Sequence, residues 1–225
     1  MTDRRFVHAL ALGIDAAWRR LPLEERCQSA AELAKAVEAK SEVTTFSYSM
    51  VGLQPGTDLL LWSLAPSLEA LEERSASVLR SGMGQWMTVT ESFLGIIQPS
   101  QYVKKPTPQE QSLFAGDRSR YLIVYPFTKS TDWYLLAREA RQGIMNEHMR
   151  VGHDFPEVRQ LLAYSFGVDD MDFLVAYETD DLPKFGELVR ALRGTDSRRS
   201  TIRDTPLLTG IHRPIAEITA LLGAK

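Results

Sequence analysis

The amino-acid sequence predicts an α+β protein in which two ferredoxin-like repeats form a dimeric-type α/β barrel within one chain. Three observations lead there. First, the sequence shifted by 115 residues matches itself in order: Arg5-Phe6 on Arg120-Tyr121, Trp18 on Trp133, Glu24 and Arg26 on Glu139 and Arg141, Gly52 on Gly167, Gly95-Ile96 on Gly210-Ile211, and Pro99 on Pro214. Asp58 and Leu68 match Asp172 and Leu182 at a shift of 114, so one residue was gained or lost between them. Second, each half reads β-α-β-β-α-β, the ferredoxin-like order. Third, a polar stretch with two prolines and one glycine, residues 101–119, separates the halves as a connector. The organisation is therefore an N-terminal repeat over 1–100, the connector over 101–119, and a C-terminal repeat over 120–225.

In the first repeat RFVHALALGID alternates as a strand does, and AAWRRLPLEERCQSAAELAKAVEAK has helical periodicity. VTTFSYSMVG and DLLLWSLAP form a hairpin around Leu53–Gly56, LEALEERSASVLRSGM is a helix, and TVTESFLGIIQP is the last strand. In the second repeat RYLIVYPF is a strand and DWYLLAREARQGIMNEHMRVG a helix. QLLAYSFGV and DFLVAYET pair around Asp169-Asp170, LPKFGELVRALRG is a helix, PLLTGIHR the last strand, and IAEITALLGA a short closing helix. Two four-stranded antiparallel sheets of this kind can fuse into one barrel with helices outside, which leaves no exposed edge.

Composition narrows the function. A hydrophobic content of 44% and a charged content of 24% are those of a globular protein, and a net charge of −3 without a basic patch argues against nucleic acid as a partner. The single cysteine, Cys27, excludes an intrachain disulfide and fits a reducing cytoplasm. The N-terminal apolar run lacks a small-residue cleavage site, and no stretch reaches the roughly 18–20 apolar residues of a membrane span. The expectation is a cytoplasmic protein with no membrane or nucleic-acid partner.

A duplicated chain carries its own control. Under the shift of 115, Tyr125, Lys129 and His148 fall on Leu10, Ile14 and Leu33, and Gln160 falls on Thr45. The first copy folds without the Tyr–Lys–His set, so the asymmetry points to one site, in the second half. Each side chain alone also admits a structural reading. His148 follows Leu136, Ala140 and Ile144 at i+4 on an apolar helix face, with Met145 beside it, as a hydrogen-bonded core histidine would. Tyr125, ending a strand before Pro126, reads as a barrel-mouth aromatic with a wet hydroxyl, Lys129 as a solvated loop residue, and Gln160 as a solvent-facing amide. Trp133, matched by Trp18, reads as packing. His148 and His153 lie about 140° apart round a helix and make no chelating pair. The lack of a cysteine pair or a tight carboxylate cluster argues against a zinc site, whereas haem needs only one axial histidine. Phosphate-loop, nucleophile-elbow and dinucleotide motifs are absent.

Taken together, YPFTKSTDWYLL, MNEH and SFGVDDMDFLVAYETDD resemble the haem-binding half of the chlorite dismutase family, whose members are duplicated ferredoxin-like barrels. The resemblance is strong over 120–212 and rests mainly on element order over 1–100. It implies His148 as the proximal iron ligand, with Phe127, Trp133, Met145 and Gln160 lining the porphyrin site. Chlorite-cleaving members carry a distal arginine seven residues before the glycine of the Gly-x-Asp-Asp turn; here that position is Gln160, and on an alternating strand the neighbouring Arg159 faces the other way. A glutamine there, with a tyrosine at 125, is similar to the coproheme decarboxylases of the family. Actinobacterial relatives use a distal histidine, which Tyr164–Gly167 lacks. Phe127 stands where a methionine is often found.

The resemblance thus implies peroxide-dependent oxidative decarboxylation of iron-coproporphyrin III (coproheme) to haem b, with hydrogen peroxide as co-substrate. Tyr125 would relay a one-electron hole to a propionate and Lys129 would pin that propionate. Asp196 is the candidate to orient the second imidazole nitrogen, and Lys104, Lys105 and Arg198 are candidates for the other propionates. The alternatives are a chlorite-cleaving haem enzyme and a non-catalytic haem-binding barrel. Family analogy also implies a homo-oligomer, a pentamer for a full-length first repeat.

Overall fold

A computed structural model describes residues 5–100, 102 and 117–225. The chain divides into two compact units, Met1–Ile97 with Thr209–Lys225, and Gln98–Leu208.

In the first unit β1 (Arg5–Ile14) pairs antiparallel with both β3 (Thr57–Ala65) and β4 (Met87–Ile97), and β3 pairs with β2 (Thr44–Gln54). The hairpin loop is tighter than Leu53–Gly56: Gln54 pairs with Thr57, and Pro55-Gly56 turn the chain with Gly56 at φ +71. Proline sets the first turn position and glycine accepts the left-handed second one. A short 3-10 turn (Ala16–Arg20), α1 (Leu23–Glu38) and α2 (Leu68–Arg80) cover one sheet face. Leu10, Leu12, Leu59 and Leu61 meet Trp18, Leu33, Val78 and Met83 there. Burying each large apolar side chain of this set stabilises the unit by roughly 1.5–3 kcal/mol.

The helix expected over 16–40 is broken at Leu21 and Pro22, which are extended with ψ 152 and 147. Proline disfavours the helical conformation of the residue before it. The last strand β9 (Leu208–His212) and closing helix α6 (Ile215–Leu222), expected with the second repeat, join the first unit. β9 pairs with β2 through Tyr48 and Ser49, and Ile215, Ile218 and Leu222 enter the first core.

In the second unit β5 (Tyr121–Lys129) pairs with β7 (Phe173–Thr179), and β7 with β6 (Arg159–Tyr164). A short strand β8 (Thr201–Arg203), with no counterpart in the sequence reading, pairs with the end of β5. The helix expected over 132–152 is two: α3 (Thr131–Leu135) and α4 (Arg138–His153), separated by extended Leu136 and Ala137. Leu136 therefore drops out of the i+4 row that reaches His148. α5 (Leu182–Arg193), capped by the Asp181 carboxylate on the Lys184 amide, packs Phe185 and Leu188 onto Ile123, Val175 and Tyr177.

The internal resemblance extends to hydrogen bonds. Ile14 donates its amide to Asp58 at 2.9 Å, and Lys129 donates its amide to Asp172 at 2.7 Å. Trp18 and Trp133 each donate their amide three residues back, and both rings are buried. The break between turn and helix also repeats, although only the first copy has the proline.

Candidate porphyrin-binding site

Register defines the face that carries the candidate residues. Residues directly opposite across antiparallel strands share a face. One row is Gln160, Tyr177 and Ile123; the next is Leu162, Val175 and Tyr125; the third is Tyr164, Phe173 and Phe127. Tyr125, Phe127 and Gln160 therefore share one surface. The sequence reading missed Leu162 and Tyr177, although the period-two run Gln160, Leu162, Tyr164 already places Leu162 there. Leu162, 42% exposed, is the β6 residue in the row through Tyr125, and Gln160 lies one row along.

Arg159 turns to the opposite face, as alternation requires. Its guanidinium meets Glu178 at 2.7 Å, and Arg118 meets the other oxygen of that fully buried carboxylate at 3.1 Å. Aromatic rings close one end of the candidate face. Phe166 packs edge-on against Phe173 at 5.1 Å and against Tyr134 at 5.7 Å, and Tyr164 meets Phe173 at 5.5 Å.

Lys129 ends β5 and is buried. Its ammonium lies 4.6 Å from the centre of the Trp133 ring and 5.2 Å from that of Phe127. It donates to Ser197 O at 2.7 Å, to Ser197 Oγ at 2.9 Å and to Thr201 Oγ1 at 3.5 Å. Burial, and then the Arg198 charge, lower its pKa to about 8. The solvated-loop reading of Lys129 is thus corrected, and its three N–H groups have partners other than a propionate. The adjoining backbone is pinned as well: Asp172 Oδ2 accepts from the Lys129 amide and, at 2.6 Å, from Tyr134 Oη.

His148 sits on α4 beside Met145, both half-buried. No residue of α4 is fully buried, whereas its counterpart α1 buries Ala30, Leu33 and Val37. The imidazole is held neutral: burial, with Lys129 adding to it and Glu147 opposing, lowers its pKa to about 4. Its Nδ1 is buried without a hydrogen-bond partner. Asp196 does not orient that nitrogen. Its carboxylate is 3.3 Å from Arg199 Nε and largely exposed, and its amide donates to Glu147 at 3.1 Å. Arg198 is paired with Asp204. Lys104 and Lys105 lie outside the described residues.

Tyr125 stacks on Tyr177, ring centres 6.2 Å apart and planes at 22°. Burial, and then the neighbouring Tyr177 phenol, push its phenol well above the usual range, and burial also raises Tyr177. Both phenols are neutral at pH 7.

A buried, neutral imidazole with a free ring nitrogen, in the same unit as an aromatic sheet face, fits a flat metal macrocycle. Among the described residues no group of three or more His, Cys, Asp or Glu could hold a metal ion. Iron at His148 would therefore draw its remaining ligands from a porphyrin. Among the same residues no helix is long and apolar enough to cross a membrane.

An α+β chain of two internally similar units, the second carrying both an aromatic sheet face and a histidine-bearing helix, is the class of protein these features define. A sequence profile described as chlorite dismutase matches residues 26–213, and the chain belongs to the chlorite dismutase family. A coproheme decarboxylase of Mycolicibacterium smegmatis is 30% identical over 195 residues, 86% of this chain and 83% of the relative. A mutant chlorite dismutase from Candidatus Nitrospira defluvii superposes with a TM-score of 0.90 at 29% identity, covering 100% of this chain and 97% of that one. The same organism's chlorite dismutase in complex with imidazole gives 0.88 at 29% identity over 98% and 95%. The fold class is that of these structures.

Proposed function

We propose that this chain binds an iron porphyrin between α4 and the Tyr125 face of its second unit, and that it decarboxylates coproheme to haem b with hydrogen peroxide. The observation that carries the choice within the family is the absence of a cation from the face rows: Gln160, Leu162 and Tyr164 point there, while Arg159 is turned away onto Glu178. A neutral amide and an aliphatic side chain cannot stabilise an anionic oxidant as a guanidinium does. The relative named coproheme decarboxylase supports the same reading.

Bound iron would supply the reaction with peroxide, and the residues of the chain do the rest. His148 holds the metal as a neutral ligand. Lys129 acts on that imidazole by charge rather than on a propionate, because Ser197 and Thr201 take its N–H groups. Tyr125, neutral at working pH, gives up an electron and a proton together and recovers them from the propionate side chain. Each propionate leaves a vinyl group and carbon dioxide, and one peroxide becomes two waters. The reading carries with it a cytoplasmic place in haem formation and a homo-oligomeric assembly.

The test is mass spectrometry of the porphyrin from coproheme-loaded protein before and after peroxide. The expected result is loss of two formic-acid equivalents in the wild type, and retained coproheme binding with no mass change in Tyr125→Phe. Normal turnover by that variant removes the tyrosine relay. The similarity to chlorite dismutases supports a second reading, chlorite cleavage, in which the wild type evolves oxygen rapidly from chlorite. A pigment-binding protein that leaves porphyrin mass unchanged and chlorite intact would be a carrier.

A further inference from the structure

The Tyr125 phenol does not stand alone. Tyr177 lies diagonally across the β5–β7 ladder, one row along, with its ring stacked on Tyr125 and its far side against Phe185 at 5.2 Å. The stack brings the two phenol rings side by side on one face of the sheet. The internal control sharpens the point. In the first unit Leu10 opposes Leu61 as Tyr125 opposes Val175, and the residue two further along is Ser63 where the second unit has Tyr177. The fold does not require stacked phenols; only the copy with the candidate site has them.

We infer that Tyr177 is the redox partner of Tyr125, returning a hydrogen atom to it and holding the oxidising equivalent away from solvent until a propionate is in place. This rests on the reading of Tyr125 as a one-electron relay with peroxide as oxidant. Peroxide takes two electrons and two protons to become two waters, and oxidation of Tyr125 supplies one of each. The O–H bond of Tyr177 then breaks homolytically as that of Tyr125 re-forms, so one electron and one proton move together and no charge is created. Burial demands this coupling: both phenols resist ionisation, so an electron moving without its proton would leave a charge in an apolar site. Tyr177 is only 6% exposed, which shields a phenoxyl from solvent reductants. Exchange between two like phenols is close to thermoneutral, so the hole returns to Tyr125 when substrate draws on it. Tyr177 acts through Tyr125 and is a positioning residue.

Freeze-quench electron paramagnetic resonance of haem b-loaded protein mixed with hydrogen peroxide tests this, because haem b lacks the two propionates that would consume the hole. In the wild type the tyrosyl signal should resolve into two components with different β-methylene couplings, assigned with ring- and β-deuterated tyrosine. Tyr177→Phe keeps the ring and the stack; it should give one component that decays severalfold faster, because the hole can no longer rest on a second phenol. Tyr125→Phe should give no tyrosyl signal. Absence of a tyrosyl signal from the wild type as well would sink the relay and this inference with it. A single wild-type component, with a lifetime unchanged in Tyr177→Phe, would overturn the role of Tyr177 and leave the relay standing. Should Tyr177→Phe fail to fold, the component count in labelled wild type decides alone.

Discussion

His148 shows how one side chain reports its surroundings through protons. The folded chain takes up a proton there only near pH 4, the unfolded chain near the ordinary imidazole value of 6.5. Between the two the unfolded state binds more proton, so stability falls as pH drops through this window and the loss is complete below pH 4. The span corresponds to about 3 kcal/mol. Replacing His148 with leucine, the residue the first copy uses at this place, should abolish the Soret band on adding haem or coproheme. It should also flatten the fall in the urea midpoint of the apoprotein between pH 7 and pH 4.5. An equally steep fall in the variant would assign the acid sensitivity to other groups. Residue type was readable here from the internal comparison, since a polar set stood where the other copy is apolar. Partners were not: the Ser197 contacts of Lys129 and the Glu147 carboxylate on the Asp196 amide join segments 68 and 49 residues apart along the chain.

At the scale of elements, helix ends explain most departures from expectation. The Leu21-Pro22 break is a proline effect, and the Leu136-Ala137 break repeats it without proline because Trp133 and Tyr134 tether α3 to the end of β5. Comparison of the two copies held the signal, since Pro22 falls on Ala137 under the same shift. The C-terminal turn of α1 has a different device. Arg74 of α2, buried, donates to Ala36 O, Val37 O, Ala39 O and Ser41 Oγ at 2.5–2.9 Å, satisfying carbonyls that no helical amide reaches. Arg74→Met keeps the apolar stem and removes the donors. It should destabilise the protein by about 3 kcal/mol, read from urea unfolding, because one buried and three part-buried acceptors lose a charged partner at once. A shift within experimental error would mean that water replaces the guanidinium.

For the molecule as a whole, chain order and packing order differ at the C-terminus. α6 follows the second repeat in sequence, yet Ile218 lies in the first unit's core with Leu33 and Trp18. Ile218→Ala should therefore cost about 3 kcal/mol, within the usual range for truncating a buried aliphatic side chain. Amides of the first unit should lose hydrogen-exchange protection in step, whereas loss confined to the second unit would contradict the division. Hydrophobic periodicity found α6 and its apolar stripe but carries no address, since an apolar helix face fits any complementary core.

What the sequence determined by itself was local and repetitive: strand alternation, helical period, and the ordered match between halves that exposed Tyr125, Lys129 and His148 as a departure from an apolar norm. These follow from side-chain period and backbone sterics, which act over a few residues. The connector expected over 101–119 lies, but for 102 and 117–119, outside the described residues. Tertiary structure alone decided that Arg159 faces Glu178, that Leu162 shares the row through Tyr125, that Lys129 is buried against Trp133 and Ser197, and that Tyr177 stacks on Tyr125. Those outcomes depend on strand register and on loops folding back over long stretches of chain. There a one-residue slip sends every side chain to the other face, and no local preference records the choice.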